Sequence, residues 1–127
     1  MSDSTTDATD AGQALPPELI DFDPAWINVV RTVHKTYGSK PDLNVLLMLI
    51  GVQETGITGM AFTKEQKQDL MHVAVCHLLQ EHEFYRFEGR DEDGWPHYEC
   101  IAELPPMTVQ EQDSLLKRCV IRYFENT

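Results

Sequence analysis

Apolar residues recur at helical spacing over four stretches of this chain, and over a fifth they alternate as they do in a strand. Asp23-Pro24 opens the first helical stretch. An aspartate side chain there accepts from free N–H groups, and a proline in the first turn gives up a donor that has no partner in any case. Gly38 supplies the stop. Between them Trp26, Val30, Val33 and Tyr37, with Ile27 beside them, predict one buried stripe. Ser39 or Lys40 then leads through Pro41 into a second helix, whose run Leu43 to Val52 is apolar on all sides. That pattern predicts the central and most buried helix. Gly51 within it either admits a close neighbour or is a tolerated glycine near the helix end. Thr63 with Gln66 forms a capping box for a third helix reaching about Glu83, with Leu70, Met71, Ala74, Val75, Leu78 and Leu79 as its stripe. Pro105-Pro106 breaks the chain, and Thr108 with Glu111 caps a last helix carrying Leu115, Leu116, Cys119, Val120, Tyr123 and Phe124.

The alternating stretch, Phe84 to Ala102, predicts a β-hairpin. With Asp91 to Gly94 as a four-residue turn, Arg90 faces Trp95, Glu88 faces His97, Phe87 faces Tyr98, Arg86 faces Glu99 and Phe84 faces Ile101. A shorter Asp93-Gly94 turn would oppose Glu88 to Glu99, so cross-strand charge selects the longer one. Tyr85, Phe87, Tyr98, Cys100 and Ala102 then share the face that helices must cover, with Phe87 and Tyr98 buried. The predicted fold is α+β and mainly helical: four helices packed with one antiparallel β-hairpin, in the order helix, helix, helix, hairpin, helix.

Composition refines this picture at the amino terminus. Six of the 21 acidic residues fall in the first 23 positions without one Lys or Arg, leaving 15 against all 10 bases downstream. The net charge of −11 therefore divides into −6 and −5. Residues 1–18 are expected to be a disordered acidic tail, with residues 19–127 a single globular domain that begins where Leu19, Ile20 and Phe22 pin the chain. Acidity in both parts disfavours nucleic acid and anionic membranes as partners. Cys76, Cys100 and Cys119 are odd in number and set among apolar neighbours, which suits free thiols. With no membrane-length apolar run, the expected location is cytoplasmic.

Candidate chemistry is sparse. His72 and Cys76 stand four apart on one flank of the third helix, a pair of metal-ligand type but only a pair. His97 and Cys100 point to opposite faces of their strand and do not complete it. His77 and His82 are expected near the helix surface, and His34 at the edge of the first helix's stripe. The acidic turn Asp91-Glu92-Asp93-Gly94 fails the calcium-loop spacing, because Gly89 and Cys100 fall where ligands are required. Nucleophile elbows and phosphate-binding glycine loops are absent from the sequence. Neither a metal nor a cofactor is expected, catalytic residues are unassigned, and any activity would rest on dispersed groups such as His34, His72 and Cys76.

In element order alone, the chain is similar to winged-helix transcription regulators. The resemblance implies Leu43 to Gln53 as the first helix of the motif, Thr63 to Glu83 as recognition helix and the hairpin as wing. The charges run the other way: beyond Lys64 and Lys67 the would-be recognition helix is apolar or acidic, and the wing tip is Asp91, Glu92 and Asp93. The favoured expectation is a protein-interaction or assembly module, ahead of a winged-helix-like regulator and of a small enzyme or metal protein. Ile121, off the main stripe among Lys117, Arg118 and Glu125, widens the surface of the last helix that wants cover. A two-fold homodimer through Ile121, with the Ile57 to Phe62 loop, would provide it, and so would Leu19 to Phe22 folding over from the same chain.

Overall fold

Capping chemistry sets the helix boundaries in the computed structural model, which describes residues 17–57 and 61–126. Among them run a 3-10 helix Pro17–Phe22, α1 Pro24–Tyr37, α2 Leu43–Thr55, α3 Lys64–Leu79, β1 Tyr85–Arg90, β2 Pro96–Cys100 and α4 Val109–Glu125. This is the helix, helix, helix, hairpin, helix order, with one antiparallel hairpin. The expected acidic tail lies, up to residue 16, outside the described residues, as does Met60 of the loop before α3.

Asp23 accepts from the Ala25 N–H at 2.8 Å, and Gly38 closes α1 in the left-handed region with φ +84°. For α2 the cap is Asp42, two residues later than Ser39-Lys40 suggested, accepting from the Val45 N–H at 2.9 Å. Both capping boxes form: Thr63 with Gln66, and Thr108 with Glu111. α3 ends sooner than the apolar run implied. After Leu79 the chain tightens into a 3-10 turn, Gln80–His82, and Glu83 at φ +62° reverses it into the hairpin.

α2 and α3 form the most extensive helix pair, and Gly51 is where they touch. A Cβ at that position would lie 2.1 Å from the Leu70 carbonyl oxygen and 2.6 Å from its carbon, so only glycine allows this approach. Around the crossing Leu46, Leu47, Ile50, Leu70, Val73 and Ala74 are buried. Val45 on α2 is exposed, so that helix is not covered on every side as its run of apolar residues suggested. In α1 the core takes Trp26, Val29 and Val33; Val30 is half-buried, while Ile27 and Tyr37 are exposed. The buried stripe is thus rotated from the expected one: α4 packs on α1, with Val29 and Phe124 lining one recess.

Ile121 is buried, with 8% of its surface exposed, and belongs to the core. The expectation of an exposed dimer-forming Ile121 is therefore corrected. The 3-10 helix packs against α4, burying Ile20, and Asp21 forms an ion pair with Lys117. The chain covers its own last helix.

The hairpin keeps the expected inner register, with Phe87 opposite Tyr98 and Arg86 opposite and bonded to Glu99. Toward the tip it departs. Glu88 is bulged, Gly89 at φ +124° pairs with His97, and Arg90 pairs with Pro96 rather than Trp95. Asp91 is the cause: its carboxylate accepts from the N–H groups of Asp93 and Trp95 at 2.9 and 3.0 Å and meets His97 Nε2 at 2.9 Å. The Asp91 N–H donates to the Trp95 carbonyl, closing a five-residue loop. These bonds outweigh the anticipated Glu88–His97 pairing, and glycine absorbs the extra residue. Phe87 lies edge-to-face with Tyr98 at 5.6 Å but remains 44% exposed, since α3 ends before it can cover that position.

Candidate functional site

Three concave regions carry polar chemistry, and each follows from how the helices meet. At the junction of α2, α3, β2 and α4, the Tyr123 hydroxyl donates to Glu54 Oε2 at 2.8 Å. His77 Nδ1 lies 3.6 Å from Glu54 Oε1 and 3.4 Å from the Tyr98 hydroxyl. The His77 ring stands edge-on to Tyr123 at 5.7 Å. Burial, with Glu54 close by, pushes the Tyr98 phenol up to about 12 and raises Tyr123 as well. Upward shifts keep both hydroxyls protonated at neutral pH, the opposite of what an activated nucleophile or base requires. The cluster links four elements through polar contacts. It was missed in the sequence because Glu54, His77, Tyr98 and Tyr123 are dispersed along it; the one available signal was that His77 and Tyr123 flank apolar stripes.

Between α3 and β2 a cavity of about 350 Å³ is lined by Asp69, His72, Cys76 and His97 among others. His72 Nε2 and Cys76 Sγ are 3.6 Å apart, as their four-residue spacing requires. His97 reaches this cavity, whereas Cys100 is exposed and directs its thiol toward the Ala102 carbonyl, so the two do not meet at one point. His97 is held by Asp91, and burial, reinforced by Cys100, pushes the Cys76 thiol up to about 11. Such a shift keeps the thiol protonated at neutral pH. Among the described residues no three His, Cys, Asp or Glu side chains converge as metal ligands.

A concavity of about 550 Å³ lies along α1 and the start of α2. Trp26, Ile27, Val30, Pro41 and Leu43 give it an apolar floor, and Arg31, His34 and Lys40 line its rim. Lys117 closes one end with its ammonium 5.1 Å from the centre of the Trp26 ring, while bonded to Asp21. The second acid in the lining, Asp42, caps α2. Among the described residues nothing engages the side chains of Arg31, His34 or Lys40. The groove gathers Arg31, Lys40 and Lys117 against Asp21 and Asp42, a formal balance of +1 on a chain whose net charge is −11. His34 is thus separated from His72 and Cys76, and the three do not form one site.

The would-be recognition helix α3 buries Leu70, Val73, Ala74, Cys76, Leu78 and Leu79, and the hairpin tip exposes Asp91, Glu92 and Asp93. No helix among the described residues is long and apolar enough to cross a membrane. Comparison with protein-family models, with curated proteins and with solved structures returned no match.

Proposed function

We propose that this protein is a non-catalytic interaction module that binds a protein partner through the groove along α1 and the start of α2. The observation that carries this is the groove's composition, an apolar floor beside Arg31 and Lys40, which no described residue pairs, on an otherwise acidic chain. Its volume of about 550 Å³ falls in the range of about 300–1,000 Å³ common for binding pockets. The polar cluster and the His72–Cys76 pair support a structural role in place of catalysis, since their titratable phenols and thiol are held protonated. Electrostatics weigh against the winged-helix alternative, whose groove-reading helix and wing would present carboxylates to phosphates. The domain is proposed to span residues 19–127, with the acidic segment before it outside the binding unit.

The test is affinity capture with wild type, with Ile27→Glu in the groove, and with Val109→Glu at an exposed apolar position elsewhere. A partner recovered in stoichiometric amount by wild type and Val109→Glu, and lost with Ile27→Glu at unchanged melting temperature, supports the proposal. A partner retained by Ile27→Glu, or none at all, counts against it.

A further inference from the structure

We infer that the occupant of this groove is an acidic amphipathic helical segment of the partner protein; this deepens the interaction role proposed above and rests on it. Ile27, Val30, Arg31 and His34 follow one another at i, i+3, i+4 and i+7, so they form one stripe along α1. That stripe faces the groove, because the core took the Val29 and Val33 side of the same helix, with Trp26 at the boundary between the two. It is apolar over its first turn, and Arg31 and His34 stand over its second. Lys40, beyond the end of α1, adds positive charge, and Leu43 and Pro41 extend the apolar floor from the opposite wall.

An occupant complementary to this surface needs an apolar side chain over Ile27 and Val30 and carboxylates about one turn further along. From Ile27 to His34 the axial distance is about 10 Å at 1.5 Å per residue, or two turns of a docked helix. Helix-in-groove recognition uses anchors at this repeat. Arg31 and Lys40, unpaired among the described residues, are too few to track a nucleic-acid backbone, and the acidic remainder of the chain would repel one. The groove is open along its side, which suits a continuous polypeptide better than a small enclosed ligand.

The test is fluorescence anisotropy on the full chain with a fluorescein-labelled peptide of about a dozen residues, Leu and Trp four apart and Glu at the other positions. Binding in the micromolar range is expected for wild type, weakening at least tenfold in the Arg31→Glu, Lys40→Glu double variant and in Ile27→Glu. Affinity should also fall several-fold as salt rises from about 50 to 300 mM. Equal binding of a peptide with Lys in place of Glu, or equal binding by the variants, would overturn the inference. So would displacement of the peptide by octanoate at comparable concentration, which would make the groove a small-carboxylate site. Binding that emerges only when Asp3, Asp7 and Asp10 are changed to Asn would assign the groove to the chain's own amino terminus and also refute it. If capture still yields an Ile27-dependent partner while the acidic peptide fails, the interaction role stands and this chemistry falls.

Discussion

Replacing Gly51 by Ala tests the packing of α2 on α3 with unusual clarity, because two effects of known sign oppose each other. Helix propensity alone favours alanine by about 1 kcal/mol. Against it, the new methyl would sit 2.1 Å from the Leu70 carbonyl oxygen, 2.6 Å from the carbonyl carbon and 3.0 Å from Cα. All three are backbone atoms, so no rotamer change relieves the overlap. Ordinary contact begins near 3.4 Å, so α2 and α3 must separate by about 1 Å where Leu46, Ile50, Leu70 and Ala74 interlock. Overpacking commonly costs about 1–3 kcal/mol, more where only backbone can yield, and this crossing joins the two most extensively packed helices. Taking the overpacking cost at about 3 kcal/mol, the top of that range because only backbone can yield, and subtracting the propensity gain leaves a net loss of about 2 kcal/mol, equivalent to about 8 °C in melting temperature for a chain of this size. Urea and thermal unfolding followed by circular dichroism, at fixed protein concentration, give the answer. A variant as stable as wild type, or more so, would refute the close approach, since propensity would then have prevailed.

Ile121→Asp should lose at least about 3 kcal/mol by burying a charge, with no change of mass by light scattering; a variant that stays stable but halves in mass would restore the dimer surface. Phe87→Ala should cost only about 1–2 kcal/mol, less than for a fully buried phenylalanine, and a loss beyond about 3 kcal/mol would contradict its exposed position. Cys76 and Cys119 are pushed from 9.0 to about 11, and Tyr98 from 10.0 to about 12, chiefly by burial. Because the folded state holds these protons more tightly, their contribution is intact below about pH 9 and is lost as pH rises through the folded values. The melting temperature should therefore fall between about pH 9 and 12, and a flat profile across that window would contradict the burial of these groups.

Local chemistry accounts for what the sequence made legible. Asp23-Pro24, Thr63 with Gln66, and Thr108 with Glu111 specify helix starts through bonds within a few residues, and all three form. The Phe87–Tyr98 and Arg86–Glu99 pairs likewise fix the inner hairpin. The tip misled because Asp91 can bind several backbone donors and His97 at once, a competition invisible when strand residues are matched only in opposing pairs. Burial beyond the local pattern depended on tertiary placement. Pro17–Phe22 docks on the last helix, the intrachain cover that Leu19 to Phe22 offered, while the rotation of α1 is set by packing that its periodicity does not announce. His34 was singled out in the sequence, but Arg31 and Lys40 gained significance only when α1 and α2 brought them to one groove.

The central claim, that the groove along α1 and the start of α2 is the binding surface, is tested most directly by an amide NMR titration of the uniformly labelled full chain with the Glu-rich peptide. Shifts are predicted to cluster at Trp26 to His34, at Lys40 to Leu43 and at Lys117, while His72, Cys76 and the hairpin remain unmoved. Saturating shifts centred on α3 and the hairpin, or none in the groove, would contradict it.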